Sequence, residues 1–314
     1  MGEGLLCIGL TTLDIVARPI DALPTREGTR IIEGIAIAPA GTAAGAAMVA
    51  ACLGVKTRLA GSVGGDFMGR VVRLGLEEQG IDTRLVEVME NLPTSATVLT
   101  IDSNGRRPNF HALGAGLFAP TGEAVIAAAG QAAFLHYAGI GGPRLDGGAG
   151  LSVVQAAKAG GATVTCDLIS PQPTALAELE RLLPYVDYFM PSASEALALS
   201  KTDTLDAAAD FFLGLGAGAV IIKNGGAGSY AALGRERAAL GAYDITPVDT
   251  TSCGDSYCAG FIAGLDRGLA PLDACRFATA VAALVAQGLA TLGKLQSYDG
   301  VLDAMNTMTL KDPG

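Results

Sequence analysis

Asp249-Thr250-Thr251-Ser252-Cys253-Gly254-Asp255-Ser256-Tyr257-Cys258-Ala259-Gly260-Phe261 reads as a strand that runs through small residues into an apolar helix. The first turn of that helix carries Asp255. Helix starts leave N–H groups without partners, and the helix dipole adds positive potential, so an anion can sit there. Gly254 has no Cβ to hold such an anion away from the backbone. Asp255 would then stand beside the bound group, placed to take a proton from a hydroxyl. Positioning, charge stabilisation and one base are what phosphoryl transfer requires of a protein. The same letters also describe an Asp that does no more than cap its helix.

The chain before this stretch alternates short apolar runs with helical periodicity. Strands are predicted at residues 5–8, 58–63, 133–137, 163–168, 188–190 and 219–222. Helices are predicted at 43–53, 67–79, 150–159, 175–183, 195–199 and 205–215, then at 253–267, 272–287 and 299–306. Such alternation predicts an α/β fold with a mostly parallel sheet covered on both faces, whose ligands sit beyond the carboxyl ends of the strands. Two segments break the pattern. Residues 95–101 and 106–111 flank Asp102-Ser103-Asn104-Gly105, a hairpin signal, and residues 14–37 look like strand pieces outside the core. They read either as a surface excursion or as a lid over a pocket, formed by about 14–37 and 94–112. With no linker or repeat in sight, residues 1–314 are read as a single domain.

Composition narrows the partners. The formal charge of −10 is spread along the chain, which disfavours nucleic acid, although a few local donors can still hold a nucleotide. The six cysteines form no C-x-x-C pair and there are only two His, so no ordinary zinc site is expected. Scattered thiols and the lack of a signal sequence point to the cytoplasm, and the apolar run 43–55 is too short to span a bilayer.

Asp249–Phe261 resembles the C-terminal signature of the ribokinase-like carbohydrate kinases, D-T-T-G-A-G-D-S-F-x-A-G-F, a family that includes fructokinases and nucleoside kinases. Gly61-Ser62-Val63-Gly64-Gly65-Asp66-Phe67-Met68-Gly69 is similar to the family's G-x-V-G-x-D-x-x-G, and Ala40–Ala47 to its sugar-site stretch G-G-x-x-x-N-x-A. The resemblance covers nearly the whole chain, with the motifs in family order. It implies a three-layer ribokinase-like fold with a β-strand lid, and an ATP- and Mg2+-dependent kinase acting on a sugar-like molecule. Asp255 would be the base, with Ser252, Cys253 and Gly254 forming the anion hole. Asp14, Gly41, Thr42 and Gly45 would face the substrate, with Asn109 and His111 contributed by the lid. Lys223, Gly225, Gly226, Gly228 and Thr279 would face the nucleotide. Glu195 and Asp167 would organise Mg2+ through water, and Asp249 and Thr251 match two positions of a monovalent-cation loop that takes K+ in some members. A homodimer through the lid is the family-based expectation.

Several positions depart from the family. Gly45 replaces a substrate-binding Asn, Ser192 replaces the Asn of N-x-x-E, and Thr279 stands where ribokinase has Asn. Ser252-Cys253 replaces Gly-Ala, Tyr257 replaces Phe, and Asp167-Leu168-Ile169-Ser170-Pro171 lacks the Asn and Arg of D-P-N-x-R. A nucleoside kinase on the same fold, or a sugar or nucleotide sensor without catalysis, are the alternatives. An NAD(P) oxidoreductase is disfavoured because no G-x-G-x-x-G follows the first strand. Gly288–Lys294 has G-x-x-x-x-G-K spacing but is followed by Leu295 and comes after a helix, so it is not a phosphate loop. In the lid, Arg106 reads as a solvated edge charge, whereas Arg107 reads equally as an edge charge or as a contact to an anionic group. Cys253 reads either as an ionisable helix-start thiol or as a buried inert one.

Overall fold

Leu-Leu-Cys-Ile-Gly has no polar face, so it suits a strand covered on both sides, and it forms β1 (Leu5–Gly9), buried throughout. The computed structural model describes residues 2–169 and 174–313; Ser170 and Pro171 lie outside them. β4 (Thr57–Gly64) and β5 (Asp82–Met89) extend the sheet on one side of β1. On the other side follow β8 (Phe134–Ile140), β9 (Thr163–Leu168), β10 (Tyr188–Phe189) and β11 (Ala219–Lys223), all parallel. An antiparallel meander, β12 (Ser229–Leu233) and β13 (Glu236–Leu240), completes nine strands in the order β13-β12-β11-β10-β9-β8-β1-β4-β5.

Helices cover both faces. α1 (Thr42–Cys52), α2 (Phe67–Glu78), α8 (Cys253–Asp266), α9 (Pro271–Val285) and α10 (Tyr298–Thr307) pack on one side. α3 (Glu123–Ala129), α4 (Ala149–Ala159), α5 (Ala175–Leu182), α6 (Ala193–Ser200) and α7 (Leu205–Gly214) pack on the other. The three-layer α/β architecture expected from the alternation is therefore present. Small residues let the layers approach closely: a Cβ at Gly260 would come within 3.0 Å of Ala278 and Val281 in α9, so α8 and α9 meet at backbone distance. Among the described residues, no helix is long and apolar enough to cross a membrane.

A second sheet is built from β3 (Gly34–Ala40), β2 (Thr12–Arg18), β6 (Ala96–Thr100) and β7 (Asn109–Ala112), in that order. Both segments that broke the α/β pattern contribute to it. Cross-strand pairing sets two kinds of row. Ala38, Asp14, Thr97 and His111 are in direct register, and so are Ile37, Ile15, Val98 and Phe110, one residue along and therefore on the opposite face. Asp66 ties this sheet to the rest. It caps α2 by accepting from Gly69 N at 2.8 Å and also accepts from Thr94 N at 2.9 Å and Thr94 Oγ1 at 2.6 Å, just before β6.

Two sequence expectations need correction. The segment leading to α8 is extended without being a strand: Tyr243 makes one bridge to Leu310, and Ile245–Asp249 pairs with no strand among the described residues. The hairpin is wider than its Asn-Gly suggests, because Asp102 gathers Asn104 N and Arg106 N at 2.9 Å each and makes a compact loop of its own. β5, β12, β13 and α3 were not anticipated.

Candidate active site

The start of α8 lies at the carboxyl end of the sheet. Ser252 takes a left-handed conformation (φ 58°), which turns the chain sharply into the helix. Cys253 N bonds back to Thr250 O at 3.5 Å, and Ser256 N makes the first helical bond, to Ser252 O at 2.8 Å. The N–H groups of Gly254 and Asp255 have no protein acceptor among the described residues and are free for an anion. Gly254, Asp255 and Cys253 line a cleft of about 730 Å³. Burial raises the Asp255 pKa to about 7; Asp167, Asp14 and Glu195 add to the rise and Lys223 opposes it. Cys253 Sγ donates to Ala282 O at 3.8 Å, and burial pushes the thiol up to about 12, which disfavours the thiolate.

Under this helix start lies a buried polar cluster. Lys223, at the end of β11, forms an ion pair with Asp167, at the end of β9; their side chains are only 11% and 4% exposed. Cys258 of α8 completes the group, with Sγ 3.5 Å from Lys223 Nζ and 3.4 Å from Asp167 Oδ2. Burial works against the lysine charge, but Asp167 and Cys258 hold its pKa above the ordinary value. The position of a Cβ on Gly254 lies 3.6 Å from Lys223 Nζ, so the ammonium sits against the first turn of α8. Beside it, His136 is fully buried, with Nδ1 2.8 Å from Thr165 Oγ1 and Nε2 without a partner among the described residues; burial lowers its pKa to about 4, so it is neutral.

The expected substrate residues fall in two groups. Asp14 is buried in the small sheet, accepts from Thr12 Oγ1 at 3.1 Å, and has its pKa raised by burial against the hydrogen bonds of Thr97 and Thr12. His111 Nδ1 lies 3.0 Å from Thr97 Oγ1 in the same row, and Asn109 is on the same face two residues earlier. Gly41 precedes α1 at φ 96°, where a Cβ would strike Leu10 O, and Thr42 Oγ1 donates to Ala138 O at 2.5 Å. Leu10 O also accepts from the N–H of Ala43 and Ala44, which satisfies two of the first N–H groups of α1. Gly45 faces the carboxylate: a Cβ there would lie 3.2 Å from Asp255 Oδ2.

Gly225, Gly226 and Gly228 form one wall of the cleft after β11, and Thr279 lies on the opposite wall with its hydroxyl bonded to Cys275 O at 2.9 Å. Thr279 therefore offers the cleft apolar surface rather than a donor. Tyr243, Ile245, Pro247, Ala282 and Ala286 continue that apolar wall. Glu195 closes a capping box with Ser192: its Oε2 accepts from Ser192 N at 2.8 Å, and Ser192 Oγ accepts from Glu195 N at 3.3 Å. This explains the serine physically. Asp249 accepts from Thr251 N at 2.8 Å and Ala290 N at 3.0 Å, which fixes the approach to α8, whereas Thr251 Oγ1 is buried without a partner among the described residues.

Residues 3–296 match the pfkB family of carbohydrate kinases. The chain belongs to this family. A nucleoside kinase from Methanothermobacter thermautotrophicus is 27% identical over 285 residues, which cover 90% of this chain and 89% of that protein. A fructokinase from Salmonella typhimurium is 29% identical over 273 residues, 81% of this chain and 84% of that protein. The structure of Arabidopsis thaliana ribokinase complexed with ribose and ATP superposes with a TM-score of 0.80 at 23% identity, over 97% of this chain and 99% of that one.

In this pfkB-family kinase, the side chains that sequence reasoning missed are those whose partners lie far away in the chain. Cys258 and His136 carry no local signal, and the Lys223–Asp167 pair joins residues 56 positions apart. Replacing one member leaves the other charged and buried without compensation. Lys223→Met is expected to lower unfolding free energy by about 3–5 kcal/mol, and Lys223→Met with Asp167→Leu to recover most of that loss. Denaturant unfolding of both variants checks this, and equal stability of Lys223→Met and wild type would show that the pair carries no such constraint.

Proposed function

We propose that this kinase moves the γ-phosphoryl group of ATP to a hydroxyl of a sugar or sugar derivative. The observation that carries the reading is a carboxylate poised near neutral pH, Asp255, beside two free N–H groups at a helix start. The acceptor hydroxyl gives its proton to Asp255 as its oxygen bonds to the γ-phosphorus. The bond from that phosphorus to the bridging oxygen breaks, and its electron pair leaves with ADP. The N–H groups of Gly254 and Asp255 receive the charge of the phosphoryl group. Asp14 accepts hydrogen bonds from substrate hydroxyls, and the small sheet with Asn109 and His111 serves as the lid. The Gly225–Gly228 turn and the apolar wall at Thr279 hold the nucleotide.

Among the described residues no cluster of three metal-ligating side chains occurs, which fits a Mg2+ held mainly by phosphates and water, with Glu195 and Asp167 ordering the waters. When bound, the ion neutralises phosphate charge. The Thr251 hydroxyl next to Asp249, unpartnered among the described residues, supports a K+ site beside the α8 start. Retention of Asp255 weighs against a silent sensor, which has no use for a base. Six free cysteines fit a cytoplasmic setting. A nucleoside acceptor is the second reading, favoured by Gly45, which leaves the space beside Asp255 without a side chain. The apolar row of exposed Ile37, Val98 and Phe110 with half-buried Ile15 supports a homodimer through the outer face of the lid; Ile37 is 58% and Phe110 63% exposed.

The reading is tested by ADP release with Mg-ATP across sugars, sugar acids, polyols and nucleosides, for wild type and Asp255→Asn. Wild type is expected to turn over a sugar, and the variant to lose about 10²–10⁴-fold in kcat. Only the ionised carboxylate accepts a proton, so the rate should fall as pH drops through about 7. A variant of undiminished activity would rule out Asp255 as base, and turnover confined to nucleosides would establish the second reading. Rates in potassium salts should exceed those in sodium salts; equal rates would remove the K+ site. In sedimentation, wild type should run as a dimer and Ile37→Asp as a monomer, and a monomeric wild type would exclude the dimer.

A further inference from the structure

Among the described residues, three cations line the cleft: Lys223, Lys311 and Arg107. Lys223 is held by Asp167, and Lys311 lies 3.1 Å from Asp244. Arg107 has neither an ion-pair nor a hydrogen-bond partner among the described residues. Its backbone is nevertheless held on both sides. Arg106 donates to Asp102 through N at 2.9 Å and Nε at 2.6 Å, and Pro108 O accepts from Thr100 N at 3.0 Å and Thr100 Oγ1 at 2.9 Å. The neighbouring arginine is thus spent on the loop, and Arg107 is the one left facing the cleft. It lines the same cleft as Cys253, Gly254 and Asp255, so the guanidinium shares the space in front of the start of α8.

A phosphoryl group at that helix start meets an unfavourable field. Asp255 and Glu195 line the same cleft, and the positive charge of Lys223 is already offset by Asp167. Free N–H groups supply only partial charge. A guanidinium, planar and permanently charged, matches the oxygens of a phosphoryl group in flight. We infer that Arg107 reaches from the β6–β7 loop over the start of α8 and donates to the phosphoryl group during transfer, which makes it a catalytic residue delivered by the small sheet. Charge stabilisation and lid position then depend on each other, because the cation arrives only with the loop. This rests on the kinase reading above and adds a contact that reading does not contain.

The test compares wild type with Arg107→Ala, using one neutral and one anionic acceptor, and measures binding of Mg-ADP with and without aluminium fluoride by calorimetry. The side chain is exposed, so an unchanged melting temperature is expected. For Arg107→Ala, kcat should fall about 10²–10³-fold with both acceptors while the acceptor KM holds, as for loss of a donor to a developing charge. Mg-ADP with aluminium fluoride should bind more weakly by a similar factor, and Mg-ADP alone as in wild type. Unchanged kcat and fluoride-complex binding would overturn the inference. So would a loss confined to the KM of the anionic acceptor, which would assign the guanidinium to the substrate. A wild type inactive on every acceptor would sink the kinase reading and this one with it, whereas an active wild type matched by the variant sinks only the arginine.

Discussion

The ion pair between Asp167 and Lys223 bridges two strands that are not neighbours. β10 lies between β9 and β11, and the chain beyond it stays between them: Met190 N donates to Cys166 O at 2.8 Å and Lys223 N to Pro191 O at 2.9 Å, so the ion pair reaches across this intervening segment. Two buried charges there satisfy each other, and Cys258 packs against both from α8. The helix start above inherits this geometry. It also inherits the field, because Asp167 raises and Lys223 lowers the Asp255 pKa. With burial as the largest cause, the balance leaves a carboxylate whose pKa is raised to about 7, in keeping with the base role proposed for it.

Rigidity at the same point comes from packing of small residues. Gly260 and Gly264 let α8 lie against α9 at close range, and Asp249 uses both carboxylate oxygens to hold Thr251 and Ala290. Ser252 accepts a left-handed conformation between these two fixed parts. N–H groups held this way need no reorganisation when charge develops in front of them. The Gly288–Lys294 stretch has its use here: Ala290 N anchors the approach to α8, so its glycines belong to support rather than to phosphate binding.

What was legible in the sequence follows from the range over which each residue acts. Asp249–Phe261 could be read because a close backbone approach and a helix start constrain neighbouring letters, and α8 begins at Cys253 as the pattern implies. The buried strands were legible for the same local reason. The meander β12–β13 was not: Ser-Tyr-Ala-Ala-Leu and Glu-Arg-Ala-Ala-Leu alternate too weakly to separate strand from helix. The roles of adjacent Arg106 and Arg107 diverge only because Asp102 captures the first. Cys253 shows two local rules in conflict: the helix start favours a thiolate, and burial against α9 overrides it.

The small sheet places two unrelated demands on one alternation. Along β2, Asp14 and Val16 point to one face while Ile15 and Ala17 point to the other, and pairing with β6 extends both rows. One face carries Asp14, Thr97 and His111; the other carries an apolar row of exposed Ile37, Val98 and Phe110 with half-buried Ile15. A shift of β6 by one residue would turn Val98 toward Asp14 and Thr97 outward, so the polar and apolar faces cannot be altered independently. The register is held at the base of β6 by Asp66, whose carboxylate takes both Thr94 N and Thr94 Oγ1 while capping α2. A single acidic side chain in the large unit thereby helps set which residues of the small sheet share a face with Asp14.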